Sequence, residues 1–482
     1  MNKKDKYNYL AKNTMIFTIS SFGSKILTFL LVPLYTSVLS TADYGTADLI
    51  TTTSNLLIYV FTLNIADSVL RFAIDKKSNQ EDILAYGCKI FLVGSLLFAV
   101  IVSGASAFHL VNWDDSCYIF LVLTFMSTAL NQILGNYLRA IDNISAVAVA
   151  GVLSTAVTIA SNIVLLLVMR IGVYGYMISI ILGSLISCVY SFIKINRSVR
   201  VIFNAKCSPT VKKKMVQYSV PLIFNGVAWW INNSIDKYFV TAIKGVAENG
   251  VYSVSYKIPT MLTVFQSIFS QAWNLSAIRE FDKNDTDGFF SSAYDMYQTV
   301  LVTLCTGLII INIPLAKFLF AKDFFVAWRC SSILVLSLVF NALSGFIGSI
   351  FSAVKNSKIF AVSTVSAACV NMVLNAVLIP QYGAEGAAVA TTISFFIIWL
   401  IRLVCARRII KWKISLKRDI LTYLLLVVQL VLEKMPGHMY IAQAGIVICI
   451  LLLYRKKYES VIGIVINKLR PASYSQYLKD KK

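Results

Sequence analysis

Two lysines stand inside hydrophobic stretches where a charge needs a reason. Lys25 shares a stripe with Thr14, Thr18, Ser21 and Thr28, at three- and four-residue spacing within an apolar run of about 27 residues. Lys257 shares another with Ser253, Thr260, Ser267, Gln271 and Asn274. Two further stripes run Asp48, Thr52, Asn55, Tyr59, Thr62 and Asn225, Trp229, Asn232, Asp236. Such spacing puts each set on one helix face. An ionisable group in hydrocarbon costs at least about 2.5 kcal/mol, so these faces turn to a bundle interior or a wet cavity. An ammonium lining a cavity pairs with a dense anion such as a phosphate. The chemistry indicated is the passage of an anionic, polar cargo through a membrane.

Lys25 lies roughly twelve residues into its span, about 18 Å at the helical rise and close to the bilayer centre. That is beyond the reach of a snorkelling side chain, so water has to come to the lysine. Two roles are open to Lys25 and Lys257: binding the anionic group of a cargo, or holding helices together through Asp48 or Asp236. Asp236 is the stripe residue, and its neighbour Lys237 projects about 100° away. A proton relay, a cation site and a structural partner for Lys257 are all open to Asp236. Asp67 and Arg71, at i,i+4 spacing, read as an intrahelical ion pair, and Arg139, Lys89 and Arg279 as headgroup anchors at inner helix ends, with the lining of an inner vestibule as a second role open to them.

The elements that position these residues follow from composition. The 482 residues are 57% hydrophobic and 14% charged, and mean hydropathy is +0.72. A soluble chain carries charge on about a quarter of its residues, so this is an all-α polytopic membrane protein. About fourteen spans are expected: 13–39, 46–72, 86–109, 117–139, 146–169, 173–195, 214–242, 249–275, 293–319, 330–354, 359–380, 384–406, 418–434 and 439–455. The first is too long for a signal-peptide core and has no cleavage site behind it, so it reads as retained. Pro33, Pro221, Pro259 and Pro314 fall in or beside spans and are candidate kinks, Pro259 being two residues past Lys257.

The formal charge of +21 is not that of a nucleic-acid binder, because it follows topology and not one face. Lys and Arg crowd the N-terminus, Lys76–Lys77, Lys194 to Lys214, Arg279–Lys283, Lys355–Lys358, Arg402 to Arg418 and the tail from Arg455, while most intervening loops hold almost none. This positive-inside pattern puts both termini in the cytoplasm. The loop from Lys317 to Arg329 departs from it.

An internal repeat divides the chain. Arg139-Ala-Ile-Asp-Asn143, Asn162 and Gly172-x-x-Gly175 recur as Ser352-Ala-Val-Lys-Asn356, Asn375 and Gly383-x-x-Gly386, at an offset of 213 residues that falls to 211. Asp43-Tyr-Gly45 is echoed in Glu248-Asn-Gly250. Two six-helix halves, 1–205 and 206–414, are expected as parallel repeats, with two more helices and a tail in 415–482; such repeats place a substrate site between halves.

Enzymatic signals are lacking. No G-x-x-x-x-G-K-[ST] occurs, the two histidines (His109, His438) are far from the stripes, and the nine cysteines are scattered singly. Neither a metal nor a cofactor is expected. Transport is then driven by an ion gradient, the membrane potential or the cargo's own gradient, a potential being worth about 2.3 kcal/mol per unit charge per 100 mV.

The string Pro33-Leu-Tyr-Thr-Ser-Val-Leu-Ser-Thr-Ala-Asp-Tyr-Gly45 resembles the first-helix exit of bacterial polysaccharide flippases, which carry "P-x-Y-T-x-x-L-x-x-x-x-Y-G". Asp236-Lys-Tyr-Phe239 and Gly250-Val-Tyr-Ser-Val-Ser-Tyr-Lys-Ile-Pro259 are similar to that group's seventh- and eighth-helix motifs. The resemblance implies that the first, second, seventh and eighth spans flank a central cavity. It also implies a cargo, an undecaprenyl-diphosphate-linked oligosaccharide repeat unit turned from the inner to the outer leaflet for O-antigen or capsule synthesis. Lys25 and Lys257 match the positions of basic residues that relatives use. The second span departs from the pattern, carrying Asp48 with Arg71 at its edge. The substrate-binding set expected is therefore Lys25, Thr28, Asp48, Asn55, Arg71, Asn232, Asp236, Ser253, Lys257 and Gln271. Glycan polymerases and glycosyltransferases are the expected partners. Two rivals are an ion-coupled multidrug or organic-cation exporter of the same superfamily, whose cavity should be acidic, and a membrane scaffold with a collapsed cavity.

Overall fold

The computed structural model describes Gly23 and residues 25–75, 79–109, 113–195, 207–354 and 356–459, without the side chains of 271, 272, 275, 278, 279 and 357. The expected roles of Thr14, Thr18, Ser21, Gln271 and Arg279 therefore lie outside the described residues and side chains, as do Lys76–Lys77 and Lys355.

Every described element is a helix, and no strand occurs among the described residues. In chain order they are α1 (Lys25–Val38), α2 (Thr41–Phe61), α3 (Ile65–Ala73), α4 (Gln80–Ala107), α5 (Asp115–Ala140), α6 (Ile144–Val168), α7 (Gly172–Ile195) and α8 (Pro209–Lys244). Then come α9 (Val246–Ser255), α10 (Thr260–Arg279), α11 (Phe289–Leu319), α12 (Trp328–Ala353), α13 (Ser357–Ala406), α14 (Leu416–Lys434) and α15 (Tyr440–Leu453). Among the described residues eight helices are long and apolar enough to cross a membrane, and the bent pair α2–α3 makes a ninth. With the broken segments joined and α13 counted as two helices that meet at a non-helical Gly383, the helices correspond to the expected spans, and the protein is a polytopic membrane protein with the roughly fourteen-helix plan. The boundaries around the basic loop from Lys317 to Arg329 fall within two residues of those read from hydropathy.

Local chemistry sets the helix ends. Ser40 and Asp43 form a capping box at the start of α2: the Asp43 N–H donates to Ser40 Oγ at 3.1 Å and the Ser40 N–H to Asp43 Oδ2 at 3.3 Å. Ser208 caps α8, which opens on Pro209. Between α2 and α3, Leu63 and Asn64 adopt left-handed backbone conformations and the axis bends by 59°. Thus the second span, expected as one run, is broken. The eighth span is broken too: helix stops at Ser255 and resumes at Thr260, leaving Lys257 in the interruption beside Pro259. Pro221 and Pro314, by contrast, lie inside continuous helices.

The chain divides into two compact units. The first comprises Met1–Lys257, Phe318–Ala327 and Met372–Ala387; the second Ile258–Lys317, Trp328–Asn371 and Ala388–Lys482. In the first, α2–α8 pack around an apolar core that includes Phe98, Phe125, Ile133 and Leu138. The second is centred on rings of Phe269, Trp273, Tyr297 and Phe346, stacked at centroid separations of 3.9–4.0 Å for Phe269–Tyr297 and Trp273–Phe346.

The repeat read from the sequence reappears in local geometry. The Asn143 N–H donates to the Leu138 carbonyl at 2.9 Å, and the Asn356 N–H to that of Phe351 at 2.8 Å. Gly172 and Gly383 share nearly the same left-handed φ, 58° and 57°.

One crossing within the first unit holds α2 against α9. A Cβ on Gly45 would lie 2.1 Å from the Val246 carbonyl oxygen, and a Cβ on Gly250 would lie 1.9 Å from that of Thr41. Thr41 and Gly45 stand to Val246 and Gly250 at one offset, so each helix presents its glycine to the other's equivalent carbonyl. No side chain fits there. Gly45→Ala and Gly250→Ala should each lower stability by about 1–3 kcal/mol, read by thermal unfolding of the detergent-purified protein. Gly104→Ala, at a position with nothing within 4 Å, is the control. Equal stability of all three variants would refute the close crossing.

Candidate functional site

The α2–α9 crossing brings stripe residues from three helices together. Ser253 Oγ donates to Asp48 Oδ2 at 2.7 Å, and Lys237 Nζ pairs with Asp48 Oδ1 at 2.9 Å and reaches Thr52 Oγ1 at 3.4 Å. Trp230 Nε1 donates to the Thr52 carbonyl at 2.9 Å, and Thr53 Oγ1 and the Tyr238 hydroxyl are 2.6 Å apart. Asn249 Nδ2 donates to the Gly45 carbonyl at 3.2 Å, securing the same contact. Asp48 and Lys237 keep 19% and 17% of their side-chain surface exposed, so the pair is largely withdrawn from solvent.

Lys237 was missed by stripe reasoning. It lies one residue off the seventh-span stripe and turns to Asp48 of α2, while Asp236 turns to Tyr252 of α9 and Asn375 of α13. The available signal was Asp48 itself: a carboxylate within a span requires a cation, and Lys237 stands in the seventh span.

Asp236 is buried elsewhere in the first unit. Its Oδ2 accepts from the Tyr252 hydroxyl at 3.0 Å and its Oδ1 from Asn375 Nδ2 at 2.5 Å. The repeat partner of Asn375, Asn162, donates to the Tyr35 hydroxyl at 3.1 Å. Both asparagines thus join elements by hydrogen bonds, as uncharged polar side chains do within membrane bundles.

Lys257 is half-buried, with its ammonium 5.8 Å from the centre of the Tyr44 ring, a cation–π distance. Tyr44 in turn packs against Tyr176 and Phe324. Asn232 donates to the Ala228 carbonyl of its own helix at 3.0 Å, while Asn55 and Thr28 are exposed.

Lys25 is exposed on α1 and lines a different feature, a cavity of about 630 Å³ inside the first unit. Its polar lining includes Asp67, Asn131, Asn136, Arg139 and Ser191. Arg139 Nη1 donates to Asn136 Oδ1 at 3.0 Å, Asn136 Nδ2 to the Ala66 carbonyl at 3.0 Å, and Ser187 Oγ to Asn131 Oδ1 at 2.8 Å. Asp67 accepts from Asn64 Nδ2 at 2.9 Å. This corrects the expected Asp67–Arg71 ion pair: no such pair forms among the described residues, and Asp67 accepts instead from Asn64 at the turn that opens α3. The cavity carries two cations, Lys25 and Arg139, against one carboxylate, and its volume is that of an ordinary small-molecule site.

The repeat offsets relate some of the residues at this cavity to a buried cluster in the second unit. By the repeat offsets, Ser191 corresponds to Arg402, Asn131 to Ser344, and Gly151 to Thr364. There the buried Arg402 guanidinium donates to the Ser344 carbonyl at 2.9 Å, to Ser363 Oγ at 3.0 Å and to Thr364 Oγ1 at 3.0 Å, and stacks on Phe360 at 4.1 Å.

Residues 10–274 match the family model described as polysaccharide biosynthesis protein, which covers more than half of the chain. The chain belongs to the polysaccharide biosynthesis protein family. This agrees with the flippase resemblance drawn from the motifs at Pro33–Gly45 and Gly250–Pro259. A probable low-salt glycan biosynthesis flippase of Haloferax volcanii is 24% identical over 204 residues, covering 40% of this chain and 43% of that protein. Among solved structures, the lipid II flippase MurJ in an inward closed conformation matches with a TM-score of 0.70 at 18% identity, over 93% of this chain and 100% of that one. An inward-facing multidrug resistance MATE family transporter of the MOP superfamily matches with a TM-score of 0.64 at 13% identity, over 80% and 94%. These structural likenesses establish the fold.

The Asp48–Lys237 pair yields a direct prediction. Asp48→Ala should destabilise the protein by about 1–3 kcal/mol, since it strands a largely buried ammonium. Combining Asp48→Ala with Lys237→Met should recover part of that loss, with a coupling of about 1 kcal/mol. The check is a double-mutant cycle on thermal unfolding, and strict additivity would contradict the pairing.

Proposed function

We propose that this protein is a flippase that turns an undecaprenyl-diphosphate-linked oligosaccharide repeat unit from the inner to the outer leaflet of a bacterial cell membrane, for cell-surface polysaccharide synthesis. The observation that carries this reading is the polar cavity of about 630 Å³ with Lys25 and Arg139 on its wall. A diphosphate is a dense anion, and charge-assisted hydrogen bonds to ammonium and guanidinium groups are about twice as strong as neutral ones. Amide and hydroxyl side chains of Asn131, Asn136 and Ser191 offer donors and acceptors to sugar hydroxyls, while the lipid tail needs only the surrounding hydrocarbon. Family membership and the flippases among its relatives support the same cargo class.

In this reading the two repeats, 1–205 and 206–414, are the moving halves, residues 415–482 are appended, and both termini are cytoplasmic. Lys25 and Lys257 hold the diphosphate at successive stages. Thr28, Asn55, Arg71, Asn232 and Gln271 contact the glycan path, and Asp48, Ser253 and Asp236 shape it through their partners. Transport proceeds without covalent chemistry on the cargo, and glycosyltransferases and a polymerase are the proposed partners that supply and consume it. An exporter of organic cations would place carboxylates where this cavity places Lys25 and Arg139, so the multidrug reading is disfavoured.

The test is export of lipid-linked glycan in cells lacking the native protein. Lys25→Ala and Arg139→Ala should each lower export about tenfold, with Lys25→Arg retaining most of it. Wild-type export by alanine variants that insert and fold normally would eliminate the diphosphate role.

A further inference from the structure

The appended helix α14 carries a buried polar face of its own. Asp419, Thr422, Gln429 and Glu433 are all at most 1% exposed and follow helical spacing, turned toward α11. Most find partners. Arg418 pairs with Asp419 and with Asp295 at 2.9 Å, Thr306 Oγ1 donates to Gln429 Oε1 at 2.7 Å, and Gln429 Nε2 donates to the Thr306 carbonyl at 3.0 Å. Glu433 differs. Among the described residues no cationic side chain forms an ion pair with it, although it is 1% exposed.

Its surroundings are a set of oxygens. Asn312 Nδ2 on α11 donates to Glu433 Oε1 at 2.7 Å and to the Trp328 carbonyl at 2.9 Å. That orients the Asn312 amide so that its oxygen is left over. Three buried oxygens then cluster here without a well-formed hydrogen bond: Glu433 Oε2, Asn312 Oδ1 and Ser332 Oγ of α12, whose hydroxyl is within reach of the same carboxyl group. Asn312 and Ser332 are completely buried, and the Ser332 hydroxyl lies against the same carboxyl group. The charged or titratable groups near Glu433 are Lys434, the next residue along α14, and His438, whose Nδ1 is 2.9 Å from the Glu433 carbonyl oxygen. From α11 and α12 the side chains against the carboxyl are the neutral Asn312 and Ser332.

A carboxylate wholly removed from water is far too costly to remain uncompensated, and an orphaned buried oxygen adds about 1–3 kcal/mol. Both debts are settled by one positive charge placed among these oxygens. We propose that Glu433, Asn312 and Ser332 form a binding site for one small monovalent cation, a proton or a sodium ion. A proton on Glu433 Oε2 would be donated to Asn312 Oδ1, closing a paired acid–amide ring. A sodium ion would take the oxygens as ligands. Either gives the appended helices a role in energising transport that is independent of the cargo's identity.

The test uses the purified full-length protein in detergent, its thermal unfolding followed by circular dichroism. Sodium chloride is exchanged for choline chloride at fixed pH, and pH is then varied in choline chloride, for the wild type and for Glu433→Gln, a neutral variant of the same shape. A sodium-dependent rise in melting temperature that Glu433→Gln loses identifies sodium. A stability that falls as pH rises, and is flattened by Glu433→Gln without a sodium effect, identifies the proton. Carboxylates elsewhere contribute to both proteins, so the difference between them is what counts. Identical responses of the two proteins to sodium and to pH overturn the proposal. If Glu433→Gln cannot be recovered folded, Ser332→Ala decides: a shift of about tenfold in the sodium or proton concentration at half-effect is expected, and an unchanged midpoint overturns the site.

Discussion

Every ionisable group placed inside the spans has to be solvated by something, and hydrocarbon supplies nothing. That constraint organises this protein. Asp48 is satisfied by Lys237 and Ser253 across three helices. Arg402 is satisfied by a carbonyl, two hydroxyls and a ring, without a carboxylate. Lys25 keeps contact with a cavity. Each solution is local, and each ties together helices that are remote in sequence.

The glycine crossing of α2 and α9 is what makes the Asp48 solution geometrically available. Backbones brought to touching distance at Gly45 and Gly250 leave Asp48 and Ser253, three residues further on in each helix, within hydrogen-bond range. The same repeat relation joins the two glycines, so the two helices cross as related surfaces. Duplication also explains the contrast between the Lys25 cavity and the Arg402 site. Ser191 and Arg402 are related by the repeat offset read from the sequence. A small side chain leaves room for a ligand, and a long cationic one fills the space and knits its neighbours together.

Much of this was legible in the sequence because membrane helices are written in hydropathy and in charge topology. The spans, the repeat through Asn143, Asn162 and Gly175, and the break beside Lys257 at Pro259 all depend on local properties: run length, residue type, a missing backbone N–H. The break between α2 and α3 was not legible, since it rests on left-handed turns at Leu63 and Asn64 and not on proline. The Asp67–Arg71 pair failed for a related reason. Spacing of i,i+4 allows contact but does not require it, and the turn brings the Asn64 amide to the carboxylate instead.

The amino-acid order by itself determined the membrane class, the number and rough limits of the helices, the duplication, and which polar residues share a helix face. Periodicity and hydrophobicity are properties of one segment at a time, so they survive without knowledge of neighbours. Only the tertiary structure decided who partners whom: Lys237 and not Lys25 for Asp48, Asn375 and Tyr252 for Asp236, a cavity for Lys25, and a set of orphaned oxygens around Glu433. Pairing depends on the distance and rotation between helices, which side-chain packing sets and no single stripe encodes.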